Sequence, residues 1–228
     1  MKATSLTILI FLSINVFGQK SFPTQNSTHI FWQPEVRLTI DEYQGKPIPE
    51  IDKLMDKYGF SASASVGIWS VIDIPKKKSQ RNKLFEKVYF APAFEKTTSY
   101  YTSKDTLQIE MQNYYFDICE IWARWARKEL KSYQDSTKSI GIISIFYMTV
   151  KNEMNENRIA MFKEYFKQVF IEKKDGAFIK WRSIMEKNLN ETKLWATTPE
   201  DCYRLMTQLP IDDNYIMAPN VVGPLTNK

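Results

Sequence analysis

The chain holds one histidine and two cysteines in 228 residues. So small a supply of imidazole and thiolate excludes a His-rich metal centre and a zinc cluster built from cysteines, each of which takes three or four such ligands. Glycine numbers only seven, and no Gly-rich loop of the kind that cradles phosphate is present. None of the serines sits in a Gly-x-Ser-x-Gly elbow. Cys119 or Cys202 with His29 makes a dyad by residue count alone, without a spacing that supports nucleophilic catalysis. His29 stands ahead of Ile30-Phe31-Trp32 and reads as a surface or strand-end residue. Carboxylate pairs occur, but their positions do not single out glycosidase chemistry. Beyond the first residues, no apolar run approaches the roughly 20 residues that cross a bilayer.

Those first residues read as an export leader. Lys2 supplies a positive start, Leu6 to Phe17 is mostly apolar, and Val16-Phe17-Gly18 ends on a small residue. The alternative is a buried N-terminal strand. Cutting after Gly18 leaves 228 − 18 = 210 residues, enough for one domain with a substantial core. The net charge of +5 falls to +4 without Lys2, a weak pointer to any partner. Export permits a disulfide between Cys119 and Cys202; two buried thiols are the other reading.

Along the mature chain, Val36, Leu38 and Ile40 alternate with Arg37 and Thr39 as in a half-buried strand. Ile51 to Tyr58 has the spacing of a short helix. Ser61 to Ile74 reads as a strand, with Ala62, Ala64, Val66 and Ile68 on one face, and Phe85 to Phe90 suggests another. Between them, Lys76, Lys77, Lys78, Arg81, Lys83 and Lys87 form a basic connection. It reads as a solvated loop, with no aromatic interleaving for nucleic-acid readout. Ile140 to Val150 is strongly apolar and fits either a strand or a helix. Met154 to Ile171 and Phe178 to Leu189 carry helical periodicity, separated by Lys173-Lys-Asp-Gly176. The tail contains Pro199, Pro210, Pro219 and Pro224, whose short elements are expected to cover the domain.

The stretch from Leu107 to Arg127 is the most informative. Leu107, Met111, Tyr114 or Tyr115, Ile118, Trp122 and Trp125 recur at three- and four-residue intervals, describing a helix with a broad buried face. Thr102 is placed to cap it, with Asp105 in the first turn. Phe116-Asp117-Ile118, Glu120, Ala123 and Arg127, together with Leu38 through Pro47 in the form Leu-x-x-x-(Asp/Glu)-(Phe/Tyr)-x-Gly-x-Pro, resemble the bacterial domain-of-unknown-function family 922, whose members are described as secreted zinc-dependent proteases. The resemblance covers roughly residues 31 to 190. It implies a zincin-like metalloprotease scaffold with a helical His-Glu-x-x-His site, in which two imidazoles one turn apart hold the metal beside a carboxylate base.

This chain departs from that pattern at the chemistry. Met111 and Tyr115 stand at the two histidine positions and Gln112 at the glutamate position. A thioether and a neutral phenol are poor partners for zinc, and an amide is no general base. A later His-containing segment of the family is matched by Glu172-Lys-Lys-Asp-Gly176, without histidine. Glu110, Asp117 and Glu120 are candidates for a relocated cation, though salt-bridge and hydrogen-bonding roles fit them better.

The expected architecture is therefore α+β: a leader at 1–18, then a single protease-like domain at 19–228 with early antiparallel strands packed against later helices. The expected function is a noncatalytic, exported, periplasmic or secreted protein with a degenerate site, using no metal or cofactor. Its partner would be a protein, peptide or envelope component; neither specific nucleic-acid binding nor a transmembrane anchor after leader removal is expected. Tyr114, Tyr115, Trp122 and Trp125 are the candidate recognition surface, with core packing as the alternative. The competing function is a secreted metal-dependent peptidase with a noncanonical site.

Overall fold

The computed structural model describes residues 21–219. The expected leader lies outside the described residues. In chain order the elements are β1 (His29–Phe31), α1 (Pro49–Tyr58), β2 (Ala62–Ser63), β3 (Val66–Pro75), β4 (Lys87–Glu95), β5 (Tyr100–Tyr101), α2 (Thr106–Thr137), α3 (Ile142–Phe166), α4 (Ala177–Glu191), α5 (Pro199–Thr207) and β6 (Tyr215–Met217). The fold is α+β, as expected. β1, β4, β3 and β6 form an antiparallel sheet in that order, and β2 pairs with β5 in a separate ribbon.

Alternation along β3 and β4 divides their side chains between two layers. Ile72 and Phe90 turn towards α2 and α3, where they meet Ala123, Ala126, Leu130, Tyr147 and Met154. Leu130, Met154 and Phe90 have no exposed surface, and each such burial contributes about 1.5–3 kcal/mol. Val71, Ala91 and Ala93 turn the other way, against Cys202 and Leu205 of α5. Asp73 shares that second face and is met by Arg204 of α5 in a fork of two bonds, Nε to Oδ2 at 2.7 Å and NH2 to Oδ1 at 2.6 Å. The Pro-containing tail thus covers the sheet and adds β6 to its edge.

The basic connection is a solvated turn between β3 and β4: Lys76, Lys77, Lys78 and Lys83 are exposed, and Arg81 Nε folds back to donate to the Pro75 carbonyl at 3.0 Å. Three local expectations are corrected. Asp105, not Thr102, caps α2: its carboxylate accepts from the backbone N–H groups of Leu107 and Gln108, a contact worth about 1 kcal/mol. Ile140 to Val150 and Met154 to Phe166 do not form separate elements. They belong mainly to one helix, α3, which passes directly into a π turn at Lys167–Ile171.

The third correction concerns Val36 to Ile40, which is not a strand. Leu38 is buried as its alternation suggests, but no strand lies beside it. The side chain of Asn113 on α2 takes the strand's place, accepting from the Leu38 N–H at 2.8 Å and donating to the Leu38 carbonyl at 3.0 Å. One amide side chain satisfies both backbone groups of the residue it faces. Further along, Gln44 N–H and Gly45 N–H donate to the carbonyls of Lys96 and Ser99. A Cβ on Gly45 would lie 2.8 Å from the Ser99 carbonyl oxygen. The Leu38–Pro47 motif therefore docks this segment onto α2 and the turn after β4.

Candidate functional site

α2 runs through the middle of the domain and presents a different set of neighbours on each side. The three positions matched to the metal site, Met111, Gln112 and Tyr115, are all half-buried, and Met111 borders a cavity of about 340 Å³ with Phe60, Phe170 and Phe178. Met111 is half-buried with Phe60, Phe178 and Trp181 in one apolar cluster, and its carbonyl accepts from the Tyr165 hydroxyl at 2.9 Å. Gln112 donates to the Ala62 carbonyl of β2 at 3.4 Å. One turn earlier, Gln108 accepts from Ser61 N–H and donates to the Gly59 carbonyl. These glutamines hold the chain that precedes β3; neither is placed as a base.

Tyr115 lies against Phe162 of α3, with ring centroids 4.2 Å apart, and its hydroxyl accepts from Arg158 at 2.5 Å. Burial first, then the neighbouring Cys119, push that hydroxyl up to about 12 against the opposing pull of Arg158. At neutral pH it is a phenol and a poor metal ligand. Cys119, sealed beneath, is pushed up to about 11 by burial. Of the two readings of Cys119 and Cys202, the structure follows the second: both are free, buried thiols. Cys119 neighbours Arg158 on the α3 side, whereas Cys202 contacts Gln33 in the layer beneath the sheet.

For the four aromatic residues the packing alternative describes the arrangement. Tyr114, Tyr115, Trp122 and Trp125 are all half-buried, and they do not line one groove. Tyr114 packs edge-on against Phe178 of α4, Tyr115 against Phe162 of α3, and Trp122 against Trp125. Trp122 and Trp125 help close the core beneath α3. Only Tyr114 of the four lines the largest cleft described below.

Glu120 has no exposed surface. Its oxygens accept from Arg124 Nε at 2.7 Å, Arg127 NH2 at 3.2 Å, Thr197 N–H at 2.8 Å and the Thr197 hydroxyl at 2.6 Å. The same arginines reach outward, Arg124 to the Leu189 carbonyl and Arg127 to those of Phe90 and Trp195. Glu120 with its two arginines is therefore a buried junction tying α2 to β4, α4 and the segment before α5. Three donors meet Oε1 and one meets Oε2, so both oxygens are bonded, the condition under which a buried carboxylate persists.

Asp117, one turn earlier, is 3% exposed but differently served. Its Oδ1 accepts from Trp32 Nε1 at 2.7 Å and lies 3.8 Å from Arg37 NH1. Among the described residues no donor reaches Oδ2. Burial, more than any neighbour, raises its pKa; the Trp32 bond and Arg37 oppose that shift. Asp117 sits at a cleft of about 480 Å³ between α2, α4 and residues 37–40. The walls include Ile109, Met185 and Leu189, and the rim carries Glu110, Arg182 and Glu186. A volume of this size, apolar with a few polar groups, is that of a ligand site.

Trp32, Asn113, Thr197 and Arg37 are the contributors that sequence reasoning missed. Asn113 alone left a signal: it interrupts the buried stripe Ile109–Phe116 at helical spacing, and a polar residue there needs a partner. Among the described residues there is no group of three or more His, Cys, Asp or Glu able to hold a metal ion. Glu120 is committed to arginines and Glu110 is exposed, so the three carboxylates proposed for a relocated cation do not make one site. No helix among them is long and apolar enough to cross a membrane. Comparison with protein-family models, with curated proteins and with solved structures finds no match.

Proposed function

We propose that the protein is a noncatalytic, exported binding protein, a relative of the family 922 proteases whose metal site has been replaced by packing and whose cleft receives a protein, peptide or envelope component. The observation that carries this reading is the Arg158 guanidinium, 2.5 Å from the Tyr115 hydroxyl at the position of the second histidine. A fixed positive charge there repels a divalent cation, in addition to the loss of imidazole. Met111 and Gln112 support it, since one lies in an apolar cluster and the other bonds to backbone. Residues so engaged supply neither a zinc ligand set nor a base to activate water.

The test is metal content and turnover on the purified mature chain. Expected are no stoichiometric zinc by mass spectrometry and no chelator-sensitive cleavage of a diverse peptide library. Bound zinc together with cleavage that stops on chelation would overturn the reading in favour of a peptidase with a noncanonical site.

A further inference from the structure

Glu120 is met by donors on more than one side, whereas Asp117 is not; Glu86, elsewhere in the fold, likewise keeps an Oε2 without a partner among the described residues. Asp117 lines the cleft between α2 and α4, and no donor among the described residues reaches its Oδ2; Ile109, Met185 and Leu189 provide apolar wall. The rim adds Glu110, which has no charged partner among the described residues, and the exposed pair Arg182–Glu186, which offsets its own charge at 3.0 Å. Arg37 is turned partly away, donating to the Val36 carbonyl at 2.9 Å while 55% exposed. The cleft thus has an aliphatic lining, an acidic depth and, with Arg37 and Arg182 set against Glu110, Asp117 and Glu186, a net charge of −1. A long alkyl stem ending in an ammonium group matches all three: the stem covers apolar wall and the head carries donors for a carboxylate.

We infer that the cleft holds a lysine side chain of a bound peptide, with its ammonium on Asp117 Oδ2 and its methylenes along Ile109, Met185 and Leu189. This rests on the binding reading above and names the ligand class of that site. Charge-assisted bonds of this kind are about twice as strong as neutral ones, and stronger again away from bulk water. Lysine suits the site better than arginine because a single oxygen is on offer, which a point donor satisfies and a planar fork does not. The backbone of such a peptide lies outside the cleft, against residues 37–40.

The experiment titrates the mature protein with a capped peptide, Ac-Ala-Ala-Lys-Ala-Ala-NH2, by calorimetry, alongside the same peptide with norleucine in place of lysine. Mass spectrometry checks the peptide after each titration. The lysine peptide is expected to bind at least tenfold more tightly than the norleucine one. Asp117→Asn, which keeps an acceptor for Trp32, is expected to abolish that tenfold preference. Glu110→Gln, at an exposed position that does not bear on folding, is expected to weaken lysine binding two- to threefold, and Asp135→Asn at the far end of α2 to leave it unchanged. Equal binding of the two peptides, or an unchanged preference in the Asp117→Asn protein, overturns the inference. So does 1,5-diaminopentane binding as tightly as the lysine peptide, which would assign the site to a free amine. A peptide recovered cleaved overturns the noncatalytic reading instead, so the two failures are told apart.

Discussion

Two carboxylates on the same helix, three residues apart, are both buried and have opposite circumstances. Glu120 accepts from two arginines and from both donors of Thr197. Asp117 has an indole, a loosely held Arg37 and an open second oxygen. The first is closed chemistry, with each charge answered inside the protein. The second is an incomplete set facing a cavity. Burial alone does not separate structural from functional acids; the number of donors left unsupplied does.

The comparison is broken most severely at Glu120. Glu120→Ala strands two guanidinium groups in the interior and is expected to cost about 3–5 kcal/mol, read as a shift of the urea midpoint. Asp117→Ala leaves only the Trp32 N–H without an acceptor, a loss of about 1–3 kcal/mol by the same measurement. If the two losses are equal, the distinction between the closed and the open acid fails.

A pH series sharpens it further. The Asp117 pKa is raised above its ordinary 3.8 in the folded chain, so between those values the folded state holds more protons than the unfolded one. Its contribution to stability therefore falls as pH rises through that window and is least favourable at neutrality. Asp117→Asn removes this dependence: relative to the parent it gains stability from pH 4 towards pH 7, tested by urea unfolding at each pH. The smallest effect belongs to Arg37→Ala. Its side chain is 55% exposed and 3.8 Å from Asp117, so less than about 1 kcal/mol is expected.

Much of the fold was legible wherever one pattern served one neighbour. The alternation in β3 follows the layer division, with Val66 and Ile68 on the side towards the helices. The expected strand from Ser61 to Ile74 is broken, however, Ala62 lying in β2 of the separate ribbon. The periodicity of α4 likewise follows its buried face, whereas on α2 Ile118 is fully buried and Leu107 is exposed, the most buried stripe running instead through Ile109 and Phe116. What escaped were elements satisfied by something other than their own kind. Residues 36–40 alternate like a strand, yet Ile40 opens a short 3-10 turn and the partner of Leu38 is the Asn113 side chain, which no period reveals. The apolar run at 140–150 stayed ambiguous because it is covered by the sheet and α2 at once, so it lacks a polar face to fix its period. Arg158, forty-three residues beyond Tyr115 in sequence, left no signal of its bond to the Tyr115 hydroxyl. The spacing of the aromatic group fitted packing as well as a groove, and α3 and α4 each claim part of it.

The forked bond between Asp73 and Arg204 bears on how the molecule is made. Both groups are sealed from water, 1% and 0% exposed, and they come from opposite ends of the sequence. A nascent chain that has not yet reached α5 carries a sheet with a lone negative charge on its inner face, and ionised carboxylates do not settle into apolar layers unaccompanied. The strands made first must therefore wait for nearly the last helix before their second face can close, so completion of the fold is tied to completion of synthesis.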